Sequence, residues 1–269
     1  MAIVTITSDW GDRDFYRGAV KGKLLSALSD ITIVEITHQI EPHNIASAAF
    51  ILRHSFREFP PGSIHIISVY STASIDNRHV AVFLDGHYII GADNGLLSLL
   101  SDNKPEKVIE IDMVQDSDYF VFPGRDIFVK AAIKLARGEP VESLGYDGGE
   151  LREIALWSAS TDRDPESGND RINGKVVYVD NYGNCITNIP FDTFMQLWKN
   201  RGFYVHIAAH SSQQSKLYEA YDEVDEGKML ALMSTTGFLE IAINQGRADR
   251  LLGLKAYESS VMIEFTDSL

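Results

Sequence analysis

The sequence predicts an α/β fold in two parts: an N-terminal sheet domain with helices packed on it, then a small antiparallel sandwich or barrel. Three observations carry this. The first third alternates strand and helix as β-α-β-α-β, the pattern of a sheet covered by helices. A polar stretch containing Pro165 and Gly168 interrupts the chain between Ser158 and Asp170, which is linker composition. Beyond it, short β-rich segments recur at near-regular spacing. The expected boundaries are 1–160 for the first domain, 161–170 for the linker and 171–269 for the second domain. A length of 269 residues suits two cores better than one.

The elements follow in order. Residues 2–7 read as a buried strand. Residues 15–28 read as a helix, with Val20, Leu24, Leu25 and Leu28 on one face. Residues 31–36 are β-branched and alternate, a second strand. Asn44 is the expected cap of a helix over 44–56, whose face carries Ile45, Ala48, Ala49 and Leu52. Pro60-Pro61-Gly62 breaks the chain before a strand at 64–69. Strands at 80–84 and 88–90 flank the turn Asp85-Gly86-His87, a hairpin signal. A helix over 126–137 stops at Gly138. The second domain offers strands at 174–180, 203–209, 229–233, 238–243 and 261–265.

Bulk properties exclude several classes. The chain carries 24 Lys and Arg against 38 Asp and Glu, a net charge of −14. A field of that sign repels polyanions, so nucleic acid and anionic membranes are poor partners. No stretch approaches the ~18–20 consecutive apolar residues of a membrane helix. The first residues lack a basic start and a cleavage site, so no signal peptide is expected. The single cysteine, Cys185, rules out an internal disulfide and suits a reducing compartment, hence a cytoplasmic protein.

Five segments could carry chemistry. Ser8-Asp9-Trp10-Gly11-Asp12-Arg13-Asp14 follows strand one, where ligands of open α/β sheets bind. Its carboxylates suit a hard cation, ribose hydroxyls or an ammonium group, or form an acidic solvated loop capping the next helix. The spacing does not match a calcium loop. The segment 69–78 is rich in hydroxyls and suits an anion, or is an ordinary connection. Gly91-Ala92-Asp93-Asn94-Gly95 is a turn. Phe122-Pro123-Gly124-Arg125-Asp126 leads into a helix, with a glycine that permits close approach of a ligand. Asp180-Asn181-Tyr182-Gly183-Asn184-Cys185-Ile186-Thr187-Asn188 offers a carboxylate, an aromatic face and amides, enough to stack and read a base, or it is a polar hairpin. The histidines show no metal-ligand spacing, and no metal site is assigned. No Gly-x-Ser-x-Gly, P-loop or Gly-x-Gly-x-x-Gly occurs.

Together these segments resemble the S-adenosylmethionine-dependent halogenases and hydrolases: fluorinase, chlorinase and the S-adenosylmethionine hydroxide adenosyltransferases. The shared residues are Ser8-Asp9-x-Gly11-x-x-Asp14 with Lys21-Gly22, Ile36-Thr37-His38 with Pro42, and Phe59-Pro60-x-Gly62. They continue through Asp93-Asn94-Gly95-Leu96-Leu97, Gly124-Arg125-Asp126, Asp180-x-x-Gly183-Asn184 and Gly237-Phe238-Leu239-Glu240-Ile241-Ala242. The resemblance implies an N-terminal α/β domain joined to a C-terminal antiparallel β-barrel. It implies a homotrimer, with the ligand held between one subunit's first domain and a neighbour's second. S-adenosylmethionine or adenosine is the small-molecule partner, and no cofactor is needed beyond a possible halide. Asp9 would hold the ribose hydroxyls, while Asp14 and Asp180 would face the methionine ammonium. Asp12 is expected in solvent. Tyr182 and Tyr221 would stack on adenine, Asn184 would read its edge, and Thr235 would meet the methionine carboxylate. Thr236 departs from the fluorinase, which has an Arg there. Tyr16, His43, Tyr70, Phe122 and Gly124 complete the candidate binding set, with Tyr70 and Gly124 nearest the chemistry.

The implied reaction is attack on ribose C5′ by halide or water, with methionine leaving. Hydrolase members use an Asp, an Arg and a His to position water; the matching positions here are Tyr70, Asn77 and Pro123. Arg78 would restore the Arg by a one-residue shift. Tyr70 matches the halogenases, and Gly124 the chlorinase, where the fluorinase has Ser. The long fluorinase insertion is absent, His43 stands where halogenases have Trp, and Ala73 replaces their halide-loop Thr. Two other readings stand beside cleavage: a non-catalytic adenosine or S-adenosylmethionine binder, and a divalent-metal hydrolase built on the acidic loop.

Overall fold

A computed structural model describes residues 1–74, 77–115, 117–155, 158–207, 210–214 and 216–266. Ile75 and Asp76 of the hydroxyl-rich segment, and residues 208–209 of an expected strand, lie outside the described residues. The chain divides into two compact units, Met1–Ile154 and Ala155–Leu269.

The first unit contains β1 (Ala2–Ser8), α1 (Tyr16–Ala27), β2 (Ile31–Thr37), α2 (Ile45–Arg53), β3 (Ile64–Ser68), β4 (His79–Leu84), β5 (His87–Ala92), β6 (Lys107–Ile111), α3 (Val129–Ala136) and β7 (Gly145–Asp147). Its sheet runs β2-β1-β3-β5-β4-β6-β7. The first four strands are parallel, and β4, β6 and β7 add an antiparallel side. Alternation along β1 sorts the two faces. Val4 and Ile6 pack with Val20 and Leu24 of α1 and with Val129, Ala132 and Ile133 of α3. On the other face, Ile67, Val80, Val82 and Ile89 pack with Ala48, Ala49 and Leu52 of α2. Burial on both faces explains the near-continuous apolar runs of the parallel strands.

Local chemistry sets the element ends. Asn44 Oδ1 accepts the Ser47 N–H at 2.9 Å, capping α2 as its residue type predicts. Asp85 and Gly86 both take positive φ, 51° and 81°. That geometry belongs to a two-residue hairpin, so His87 joins β5 rather than the turn. The helix expected at 126–137 opens as a π-helical turn over Gly124–Phe128 before α3 continues it.

The second unit contains β8 (Ser160–Arg163), β9 (Asp170–Val179), β10 (Cys185–Pro190), α4 (Phe191–Trp198), β11 (Gly202–Ile207), β12 (His210–Gln214), β13 (Met229–Met233), β14 (Phe238–Ile243), α5 (Ala248–Leu251) and β15 (Ser260–Thr266). An antiparallel sheet ordered β12-β11-β15-β9-β10-β14-β13 curls into a nearly closed barrel around Ile172, Phe194, Phe203, Leu239, Ile241 and Phe265. The polar segment that reads as a linker carries β8, which pairs with the start of β9. All four β8 residues are exposed, so an edge strand without a buried face leaves no hydrophobic alternation to detect. Arg171 pairs with Asp162 and Asp164 across this hairpin.

Candidate functional site

In the first unit, the carboxyl ends of β1, β2 and β3 are neighbours, and the loops leaving them meet at Asp9. Asp9 Oδ2 accepts the backbone N–H of His43 at 3.0 Å and that of Tyr70 at 3.3 Å. His43 and Tyr70 both hold positive φ, 67° and 46°, a conformation that non-glycine side chains disfavour. Their rings meet edge to face at 5.2 Å, and the Tyr70 ring is half exposed. Expected site residues Asp9, His43 and Tyr70 are therefore brought together. Asp14 sits in solvent at the start of α1.

Behind Asp9 stands a buried polar chain that joins the motif residues Ser8 and His38 to Glu35 and Arg17, two residues the sequence did not single out. Ser8 Oγ lies 2.6 Å from His38 Nδ1, and His38 Nε2 lies 3.1 Å from Glu35 Oε1. Arg17 binds Glu35 through two nitrogens, and Lys21 adds a third bond. The Arg17 guanidinium, helped by Lys21, holds the Glu35 carboxyl down at about 2. An ionised Glu35 accepts a hydrogen bond from Nε2–H, so Nδ1 is left unprotonated to accept from Ser8. The His38 carbonyl accepts the Gly11 N–H at 2.8 Å, and Trp10 stacks on the imidazole at 5.8 Å. Asp12 is exposed as expected, and it also pairs with Arg17 and Gln39.

Trp10 also organises the aromatic side of the site. Phe122 meets it edge-on at 5.4 Å, and Tyr16 meets Phe122 at 5.0 Å. A Cβ on Gly124 would lie 2.8 Å from Trp10 and 3.0 Å from Ser68 Oγ. Packing against Trp10 thus dictates glycine here, independently of any anion. Trp10 lies inside the acidic loop, and its aromatic bulk beside three carboxylates is the signal that could have found it.

The positions matched to the hydrolytic Asp, Arg and His are engaged structurally. Asn77 is buried, and its Nδ2 donates to the carbonyls of Tyr70 at 3.1 Å and Thr72 at 2.8 Å. Asn94 Nδ2 supports the same Tyr70 carbonyl at 3.2 Å. Arg78 does not replace the missing Arg. It binds Asp93, Glu110 and the carbonyls of Gly148 and Glu150, riveting the end of the first unit to its sheet. Pro123 is buried ahead of the π-helical turn.

In the second unit, Asp180, Tyr182, Asn184 and Tyr221 line one cavity of about 680 Å³, together with Gln245 and Arg247. Asp180 accepts the Asn184 backbone N–H at 2.8 Å and its Nδ2 at 3.0 Å. Gly183 has φ 87°, and a Cβ there would strike Asp249 at 2.5 Å. Its carbonyl accepts the Asp249 N–H, while Arg247 donates to the Asn181 carbonyl, fixing the loop against α5. The Tyr221 hydroxyl donates to buried Glu240 at 2.8 Å. Burial first, and then that carboxylate, push the Tyr221 phenol up. Thr235 does not join this group. It is exposed at the tip of the β13–β14 hairpin, at the other end of β14 from Ile243 and the cavity.

A larger cavity of about 760 Å³ in the first unit, between residues 101–109 and 145–154, contains none of the expected site residues. Among the described residues, no three His, Cys, Asp or Glu side chains are grouped to hold a metal ion. No described helix is long and apolar enough to cross a membrane.

Comparison with known proteins shows the family of the chain. The chain is 28% identical over 266 residues to an (R)-S-adenosyl-L-methionine hydrolase of Methanocaldococcus jannaschii, spanning 94% of this chain and 92% of that protein. It is 23% identical over 273 residues to a fluorinase of Actinopolyspora mzabensis, covering 90% of each. A crystal structure of an uncharacterized conserved protein from Thermotoga maritima superposes with a TM-score of 0.85 at 27% identity, covering 97% of this chain and 99% of that one. Residues 4–145 match the SAM hydroxide adenosyltransferase N-terminal domain, and residues 174–260 match the C-terminal domain. The chain belongs to the SAM hydroxide adenosyltransferase family.

Proposed function

We propose that this protein cleaves S-adenosylmethionine at the ribose C5′, with water or a chloride-like halide as nucleophile. The nucleophile's electron pair forms the new bond to C5′ as the C5′–S bond breaks. That bond's electron pair stays on sulfur, and methionine leaves. Water then loses its proton to give adenosine, whereas halide gives a 5′-halo-5′-deoxyadenosine. The sulfonium is already a good leaving group, so no cofactor is required. The main task is to position the reactants and to compensate the nucleophile for lost water.

The observation that carries this reading is the convergence of three strand ends on the Asp9 carboxylate, a fixed acceptor for ribose hydroxyls. The Asp180, Tyr182, Asn184 and Tyr221 cavity supports it with a base-sized site in the second unit. The reading includes the homotrimer that the family resemblance implies, which light scattering would check. Incubation with S-adenosylmethionine in chloride, bromide and halide-free buffers, followed by mass spectrometry of the nucleosides, tests the activity. Methionine release with adenosine in every buffer assigns water, and a halogenated nucleoside assigns halide. Absence of any nucleoside product sinks the enzymatic reading.

A second reading is favoured by one specific observation. Asn77 holds loop carbonyls and Arg78 holds the end of the unit, so neither side chain is placed to activate water. Under this reading the protein binds adenosine or S-adenosylmethionine without turnover. Adenosine would then raise the melting temperature by linkage while product formation stayed at background.

A further inference from the structure

Glu240 is a buried carboxylate that the cleavage reaction does not use. It lies on β14, where Leu239, Ile241 and Ile243 face the barrel core and Glu240 and Ala242 face the opposite way. That outer face is covered by residues 216–224. Tyr218 bridges to Leu232, its N–H bonds the Ala231 carbonyl, and Tyr218 and Val224 pack on Leu230, Leu232 and Ala242. Asn244 Nδ2 holds the Val224 carbonyl at 2.7 Å. Between these anchors the segment carries Tyr221, whose ring lines the cavity and whose hydroxyl reaches Glu240 at 2.8 Å. Among the described residues, Tyr221 is the side chain that donates a hydrogen bond to the Glu240 carboxylate.

Stability does not call for a carboxylate at this position. The neighbours form an apolar cluster, and a leucine would be buried there without the desolvation cost that a buried acid carries. Glu240 does not line the cavity, so it acts on a ligand through Tyr221. We infer that Glu240 is a positioning residue, which latches the 216–224 segment and presets the Tyr221 ring over the cavity to stack on the base of an adenine nucleoside. This rests on the reading of Tyr221 as a base-stacking residue. A preset ring does not have to be immobilised on binding, which is worth roughly three- to tenfold in affinity for one side chain.

Calorimetry with adenosine and thermal melting of the unliganded full-length chain test the inference. Glu240→Leu and Tyr221→Phe should each weaken adenosine binding about three- to tenfold. The melting temperature should hold or rise in Glu240→Leu and fall in Tyr221→Phe, which leaves the buried carboxylate without its donor. Glu240→Gln, whose amide oxygen still accepts the phenol proton, should bind close to wild type. The Tyr221→Phe/Glu240→Leu double variant should bind no worse than either single variant, because both remove the same bond. Wild-type affinity in Glu240→Leu and Tyr221→Phe, alongside lost affinity in Tyr221→Ala, overturns the latch and leaves the base site standing. Wild-type affinity in Tyr221→Ala removes the base site itself. Should Glu240→Leu fail to fold, Tyr221→Phe against Glu240→Gln decides the question, and equal affinities for the two overturn the inference.

Discussion

The carboxylate of Asp9 accepts the backbone N–H of His43 across 34 positions of sequence, at 3.0 Å. The same oxygen accepts the Tyr70 N–H, so one side chain holds two loops whose residues take left-handed backbone conformations. A conformation that costs of order 1–3 kcal/mol per residue persists only where surrounding contacts fix it. Asp9 supplies those contacts, and Oδ1, which takes part in neither bond, faces its remaining task.

Replacing Asp9 with Ala should weaken adenosine binding by at least about a hundredfold. Two charge-assisted hydrogen bonds to ribose, at ~1.5–3 kcal/mol each, would be lost. The loop anchors would go with them. Asp9→Asn keeps acceptors for the two backbone amides and should lose less. Calorimetric titration of both variants checks the order, and unchanged affinity in Asp9→Ala would show that the ribose is held elsewhere.

Gly124→Ala separates packing from chemistry. Its Cβ would lie 2.8 Å from Trp10, and overpacking of this kind costs about 1–3 kcal/mol. Urea unfolding should register that loss whether or not substrate is present. Serine, the fluorinase residue, should be no better tolerated, because its Cβ meets the same ring. Stability equal to wild type in both variants would mean that Trp10 yields easily and that glycine is required for another reason.

Much of this was legible in the sequence because the relevant signals are local. The five strands expected in the first unit were placed by alternation and turn residues, and β13 and β14 by their apolar runs. Asp180, Tyr182 and Asn184 fall within five residues of one hairpin, so the sequence already groups them, although Tyr221, Gln245 and Arg247 join their cavity from elsewhere. Other features were not legible because they depend on long-range pairing. Glu35 and His38 become part of the Asp9 loop only when β2 pairs with β1. Arg78 looks like a spare catalytic cation until Asp93 and Glu110 claim it. β8 has no buried face, so nothing in its composition distinguishes it from a linker. Tyr221 and Thr235 both lie near β13 in sequence, yet hairpin geometry sends them to opposite ends of β14.

Asn184 predicts base selectivity. Its Nδ2 is committed to the Asp180 carboxylate at 3.0 Å, a group that accepts and cannot donate. That fixes the amide orientation and leaves Oδ1 as the acceptor for a base edge. An exocyclic amine satisfies it, whereas a 6-oxo group places two acceptors face to face. Adenosine should therefore bind at least about tenfold more tightly than inosine, the cost of one unpaired polar contact. Equal affinities in competition binding would place the base edge away from Asn184.

The first unit should be acid-sensitive through a buried histidine pair. Thr5 Oγ1 lies 2.7 Å from His65 Nδ1, and His65 Nε2 lies 3.2 Å from His87 Nδ1, with both rings almost fully buried. The chain is satisfied with both rings neutral: Thr5 donates to Nδ1, and Nε2–H donates to His87. Burial, with His87 adding to it, lowers the His65 pKa from 6.5 to about 3. Burial also lowers His38, His54, His79 and His87. The unfolded chain thus holds these protons more tightly than the folded one. The resulting stability is fully present above about pH 6.5 and is lost as pH falls toward 3, where the folded site titrates. His65 alone should account for about 2 kcal/mol between pH 7.5 and 5. Urea unfolding at the two pH values should show that loss, and His65→Gln should flatten the slope. Equal stability at both pH values would mean that the pair is protonated in the folded protein.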